Sequence, residues 1–392
     1  SKEEEKILDG ELGEASSLAM RIVVKVAEAL DADRLVKVKN AHVSGVSYRN
    51  LGSEGVEFLE ELAAKGSKFS VPTTVNPGGM DMYKWHVMGV KRDELELQLR
   101  VIKALTRMGA RPTLSCTPYF SLDVQFGDHL AWAESNAVLY ANSVIGARTN
   151  REGGPLSVFE AIVGRAPFTG LHTSEGRQPT IMVDLKDVRE TVEEEELYSI
   201  LGYLIGREVK AGVPLIVNPP RGLALKSNVK LFLAAMGASS SVGLALIEGV
   251  SPEFRRVEGL ERMRVGERIL RDEADHWRME FVDAVVMGCP HLTSEELGGI
   301  LEALNGRRVA KRLLLFTSRS VVEKNAGLVK GLERLGAEVY ADTCMVVSNL
   351  RSMGIESCAT DSAKAAYYLS SQGIRVSVEP RTYLLRRIIG LG

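Results

Sequence analysis

Along the last third of the chain, short apolar runs alternate with stretches whose apolar residues recur at helical spacing. Residues 282–287, 312–316, 338–340, a short run at Ile355, and 375–378 read as strands; residues 294–304, 321–335 and 363–369 read as helices. That alternation predicts a parallel sheet with helices on its faces. The middle is plainer: strands over 180–185, 213–218 and 242–247, a helix over 229–236, and an acidic run at 193–196 that starts another as a solvated face. The first part opens on a helix over 15–30. Strands over 35–38 and 68–75, helices over 56–64 and 93–108, and a strand running into Cys116 follow. The stretch 127–136, Gly-Asp-His-Leu-Ala-Trp-Ala-Glu-Ser-Asn, then leads into an Ala/Val/Leu helix. The expected fold class is α/β and multi-domain, divided as 1–170, 171–278 and 279–392.

Between these elements lie three segments that continue nothing regular. Asn76-Pro77-Gly78-Gly79 is a break. Residues 146–155, Gly-Ala-Arg-Thr-Asn-Arg-Glu-Gly-Gly-Pro, form a loop with two arginines, an acid and Asn150 between them, and loops held on rigid scaffolds often carry function. Gly237–Ser241 reads as a helix-to-strand turn rather than a phosphate cradle. His129 and His172, which flank the arginine loop, read as structural hydrogen bonders.

Composition narrows the class. The chain has 392 residues, 45% hydrophobic and 26% charged, with a net charge of −2. That is a soluble globular composition with no electrostatic footprint for nucleic acid. No apolar run reaches the ~18 residues of a membrane span, and the charged N-terminus lacks a signal-peptide core. Four cysteines do not make a disulfide framework in a chain this long, so a reducing cytoplasm is expected. No P-loop, dinucleotide fingerprint, zinc-protease helix or nucleophile elbow occurs.

Chemistry enters through the cysteines. Cys116, Cys289 and Cys344 each close an apolar run where a strand should hand over to a loop. Ligands collect beyond the carboxyl ends of strands in open α/β sheets, so three thiols delivered there can converge on one soft metal or iron–sulfur centre. None belongs to a C-x-x-C pair. A lone cysteine at a strand end is more often a small buried hydrophobe; three in one context shift that balance. Cys358 is a weaker fourth candidate, expected at the same sheet edge as Cys289 and Cys344.

Four blocks carry a family resemblance: Ala41 to Asn50, Gly127 to Asn142, Thr149 through Gly170, and Asp361 to Tyr368. Together they resemble the aconitase X family, end to end, and within it the archaeal catalytic large subunits. The resemblance implies an aconitase-like set of parallel-sheet domains around a central iron–sulfur cleft. It implies a [4Fe-4S] cluster, or [3Fe-4S] as isolated, on Cys116, Cys289 and Cys344, with Cys358 left as a core residue. The implied reaction removes water from a small phosphorylated hydroxy acid, (R)-5-phosphomevalonate, to give trans-anhydromevalonate 5-phosphate in isoprenoid biosynthesis. The iron without a cysteine would then act as Lewis acid on the substrate. Gly45, Val46, Ser47, Asn76, Pro77, Glu134, Ser135 and Lys364 are the implied substrate-binding residues, with Ser47, Ser135 and Glu134 as catalytic candidates and Lys364 the partner of an anionic group. A separate small subunit, equivalent to the swivelling domain of aconitase, is implied as the partner in a heterodimer. Two rivals stand: a cis-3-hydroxyproline dehydratase of the same family, and a non-catalytic α/β protein with a structural Cys₃ metal site. Ordinary aconitases use one distant cysteine and a C-x-x-C pair, so citrate isomerisation is not implied.

Overall fold

The computed structural model describes residues 1–188 and 195–390. Of the acidic run at 193–196, Glu193 and Glu194 fall outside the described residues. The helix Glu195–Val209 follows directly.

Three parallel sheets carry the architecture. In the N-terminal part the strands Thr73–Val75, Ala41–Val43 and Ala131–Trp132 pair in that order, all parallel. All eight of their residues are buried, as sheets with both faces covered require. A two-stranded antiparallel ribbon, Leu35–Lys37 with Arg165–Pro167, flanks them. The middle region builds the order Leu246–Ile247, Pro214–Val217, Ile181–Asp184, Arg262–Arg264. The C-terminal region builds Glu338–Tyr340, Arg312–Thr317, Ala284–Leu292, Ser357–Thr360, Arg375–Val378, again all parallel. The α/β expectation is met.

The helix Lys226–Ser239 is the hub. Every residue from Asn228 to Ala238 is buried, the signature of a helix apolar all round. It packs on Glu195–Val209, Ser135–Tyr140 and Ala363–Ser371. Gly237 is needed at one of these crossings: a Cβ there would stand 2.8 Å from Leu139 Cδ1 and 3.4 Å from Ser135 Cβ. The expected turn at Gly237–Ser241 is therefore mostly helix, and the strand placed at 242–247 shrinks to Leu246–Ile247.

Other elements differ from the sequence reading for local reasons. No regular strand runs into Cys116, because Pro112 has no N–H and Leu114 is left-handed at φ 44°. The segment still tracks the strand Thr73–Val75, with Arg111 N–H donating to Thr73 O at 2.9 Å and Ser115 N–H to Val75 O at 3.1 Å. The short strand at Ile355 is instead Ser357–Thr360. The helix over 321–335 divides at Asn325 into Arg319–Lys324 and Ala326–Arg334.

Candidate active site

Three adjacent strands of the N-terminal sheet release their chains at one edge. After Ala41–Val43 come Gly45, Val46 and Ser47; after Thr73–Val75 come Asn76 and Pro77; after Ala131–Trp132 come Glu134 and Ser135. Gly45 turns the chain at φ 75°, where only glycine is unstrained. Ser47 is buried and caps the helix Tyr48–Ala64, accepting from Arg49 N–H at 3.3 Å. Gly78 N–H donates to Asp342 O at 2.8 Å, and Gly79 N–H to Gln98 Oε1 at 2.8 Å. The Asn76-Pro77 loop is thus fastened to the C-terminal region. Arg319 reinforces the join by bridging Asp81 and Asp342.

The C-terminal sheet presents the matching edge. Cys289 lies near the end of Ala284–Leu292, Cys344 follows Glu338–Tyr340, and Lys364 follows Ser357–Thr360 in the first turn of the helix Ala363–Ser371. Lys364 is buried, and its ammonium pairs with the Glu134 carboxylate across the two edges. Asn136 Nδ2 donates to Glu134 Oε1 at 2.9 Å and Asn76 Nδ2 to Oε2 at 2.9 Å. Burial would raise the Glu134 pKa, but Lys364 and these donors hold it down at about 2. Burial likewise opposes the Lys364 charge, and Glu134 overrides it, keeping the pKa well above the usual lysine value. The first N–H groups of its helix are engaged: Ala363 N–H donates to Ser199 Oγ and Ala365 N–H to Ser362 Oγ.

All four cysteines are free and buried. Cys116, Cys289 and Cys344 are electrostatic neighbours of one another, of Glu134 and of Lys364. Burial pushes the Cys116 thiol up to about 12 and Cys289 and Cys344 upward as well. Cys358 does not join them. It pairs in register with Ala284, at the start of the strand whose end holds Cys289, and its charged neighbour is Asp283. The expectation that Cys358 shares the Cys289 edge fails because parallel strands put it a full strand length away.

Two histidines that sequence reading passed over hold this arrangement. His291 is buried and touches all three cysteine-bearing segments. Its N–H donates to Cys116 Sγ at 3.3 Å, its Nδ1 meets Ser115 Oγ at 3.2 Å, and its Nε2 meets Thr343 O at 2.8 Å. A carbonyl only accepts, so Nε2 carries the proton and Ser115 donates to Nδ1. Burial holds His291 neutral, with a pKa of about 4. His42 ranks the substrate-loop side in the same way. Thr74 Oγ1 lies 2.8 Å from Nδ1 and Asn76 Oδ1 3.3 Å from Nε2, so the chain Thr74, His42, Asn76, Glu134 is continuous. The sequence signal for both was position alone: His291 stands two residues after a candidate ligand, and His42 sits mid-strand beside the Gly45 turn. His129 and His172 are hydrogen bonded to each other through Nδ1 at 2.9 Å.

Comparison with known proteins gives this arrangement its context. Residues 1–175 match the aconitase X first domain, 179–275 the second and 282–389 the third. The chain belongs to the aconitase X family. It is 37% identical to the phosphomevalonate dehydratase large subunit of Methanocaldococcus jannaschii, covering 95% of each chain. The corresponding subunit of Thermococcus kodakarensis is 38% identical, with 98% of each covered. The crystal structure of Thermococcus kodakaraensis aconitase X in its holo-form superposes with a TM-score of 0.90 at 37% identity, covering 99% of both chains. The cis-3-hydroxy-L-proline dehydratase of Pseudomonas aeruginosa is 35% identical over 93% of this chain but only 65% of its own length. These family relatives are dehydratases, and the chain is an enzyme of the hydro-lyase class. No helix among the described residues is long and apolar enough to cross a membrane.

Proposed function

We propose that this aconitase X chain is the catalytic large subunit of an iron–sulfur dehydratase acting on (R)-5-phosphomevalonate. The observation that carries the proposal is the meeting of two parallel-sheet edges, one bringing Glu134 and Asn76, the other Cys289, Cys344 and Lys364. The near full-length likeness to large subunits of that name supports the substrate.

Cys116, Cys289 and Cys344 are the residues that would hold the cluster. They are free, buried and electrostatic neighbours of one another. Three thiols without a fourth protein ligand suit a cluster, which takes each cysteine on a different iron, and the near full-length likeness to dehydratases supports that reading over a structural Cys₃ site. When bound, the cluster supplies a Lewis-acidic iron for the departing hydroxyl.

The chain's own residues bind and orient. Lys364 shifts from Glu134 to an anionic group of the substrate on binding. The Glu134 carboxylate loses its counter-charge by the same movement and becomes more basic, because burial is then opposed only by the Asn76 and Asn136 amides. Glu134 is on these grounds a stronger candidate for moving the proton than Ser47 or Ser135. Neither serine has a His, Lys or carboxylate in hydrogen-bond reach among the described residues, and Ser47 already serves as a helix cap. Gly45, Val46, Asn76 and Pro77 frame the substrate from the adjoining strand ends.

A small subunit equivalent to the aconitase swivelling domain completes the site as a heterodimer. The relatives' designation as large subunits supports this, as does the third of the Pseudomonas dehydratase that lies beyond the match. We place the assembly in the cytoplasm, where free thiols persist. The test is turnover by the anaerobically reconstituted heterodimer of 5-phosphomevalonate against cis-3-hydroxyproline. Product from the first and none from the second is expected, and the reverse result overturns the substrate.

A further inference from the structure

The loop 146–155 stands out in the sequence for its two arginines, and they take different roles in the structure. Arg148 Nη1 donates to His172 O at 3.0 Å, and its guanidinium lies 3.9 Å from Glu253. Arg151 has no carboxylate within ion-pair distance among the described residues. Its hydrogen bonds leave from Nη1 alone, to the carbonyls of Ser240 and Val242. Those bonds fix the guanidinium and leave Nε and Nη2 without acceptors.

Its placement is specific. Glu152 N–H donates to Trp132 O at 3.2 Å, so Arg151 stands beside the strand end that delivers Glu134. Gly243 packs against the Arg151 stem, where a Cβ would lie 3.4 Å from Arg151 Cγ, in ordinary van der Waals contact. The guanidinium is half-buried and feels both Glu134 and Tyr368. Tyr368, one turn along the helix from Lys364, in turn feels Lys364, Glu134 and Cys289. Its hydroxyl has no hydrogen-bond partner among the described residues. Among the described residues the cleft brings two cations, Lys364 and Arg151, towards one carboxylate, Glu134, and the Lys364 ammonium, not Arg151, is paired with it. A desolvated cation without a counter-charge is costly, and a forked donor set suits a planar or tetrahedral oxyanion.

We infer that Arg151 is a substrate-binding residue that receives an oxyanion of the substrate on Nε and Nη2, with the Tyr368 hydroxyl as a neighbouring donor. The inference rests on reading this cleft as the dehydratase site. The oxyanion is the phosphate or the carboxylate of the substrate, and both offer the same acceptor geometry.

The test compares wild type, Arg151→Gln and Arg151→Lys in the reconstituted heterodimer. Arg151→Gln is expected to lower kcat/KM by about 10- to 100-fold, the size of one or two charge-assisted hydrogen bonds. The loss should fall mainly in KM, with iron content unchanged. Arg151→Lys should recover part of it, keeping charge without the fork. Mevalonate assayed beside 5-phosphomevalonate separates the sources: a loss confined to the phosphorylated compound assigns the phosphate, an equal loss assigns the carboxylate. If Arg151→Gln loses iron, Arg151→Lys decides alone, a raised KM supporting the inference. A KM within twofold of wild type in the variant that holds iron overturns it. Wild type that turns over cis-3-hydroxyproline and not 5-phosphomevalonate instead overturns the substrate reading. The Arg151 comparison then runs on hydroxyproline, whose carboxylate is also an oxyanion, and the same twofold limit applies.

Discussion

Replacing Lys364 by methionine tests the join between the two sheet edges. The side chains of Lys364 and Glu134 keep only 9% and 13% of their surface exposed, so solvent screens the pair little. The fall of the Glu134 pKa from 4.5 to about 2 corresponds to about 3 kcal/mol in favour of its ionised form. Methionine fills the lysine's volume but leaves that carboxylate with two amide donors and no cation. Removing one partner of a buried pair typically costs about 3–5 kcal/mol. A Glu134→Gln, Lys364→Met double variant removes both charges and is expected to recover most of this, with a residual cost of about 1 kcal/mol. The sign with pH follows from the depressed carboxyl. Its contribution is complete above pH 4.5 and is lost as pH falls towards 2, so wild type and Lys364→Met should converge in acid. Guanidinium unfolding midpoints of the metal-free chain at pH 7 and pH 3 measure both effects. Lys364→Met within 1 kcal/mol of wild type at pH 7, or a double variant no more stable than the single, would refute the reasoning.

The remaining expectations concern the cysteines, His291, acid stability and the partner. Cys116→Ser, Cys289→Ser and Cys344→Ser should each abolish the brown chromophore and the iron, while Cys358→Ser keeps both; bleaching by Cys358→Ser alone contradicts the ligand set. His291→Ala leaves Ser115 and Thr343 O without their buried partner, a loss of about 2–3 kcal/mol, and should slow anaerobic cluster loading followed at 400 nm. Unchanged loading would show that His291 does not position the cysteines. His42 and His291 stay neutral when folded, with pKa values of about 4 against 6.5. The unfolded chain then binds more protons between pH 6.5 and 4, and stability should drop across that window by about 3 kcal/mol per histidine; a flat Tm from pH 7 to 5 argues against it. The large chain purified alone should be nearly inactive and regain turnover with its small subunit, so full activity of the single chain would remove the need for a partner.

The sequence by itself determined the α/β class, because period-2 and period-3.6 patterns are local and survive without knowledge of the partner element. It also singled out the three cysteines, the family blocks made Glu134 and Lys364 legible, and the break at Asn76-Pro77 marked the loop. What it misjudged was also local: Pro112 and the left-handed Leu114 dissolve the strand before Cys116, and Gly237 serves a helix crossing, which an isolated Gly/Ser stretch cannot reveal. Only the tertiary structure decided which strand ends face one another. Cys289 and Cys358 look alike in sequence, yet lie at opposite ends of paired parallel strands. Without the family resemblance Lys364 reads as a surface lysine, and only the fold brings Glu134, 230 positions earlier, against it. His291 and Arg151 show the same limit. One gains its meaning from three contacts far apart in the chain, the other from having no carboxylate partner among the described residues. Long-range pairing and the burial that raises its energetic weight are properties of the assembled sheets, and no window of sequence contains them.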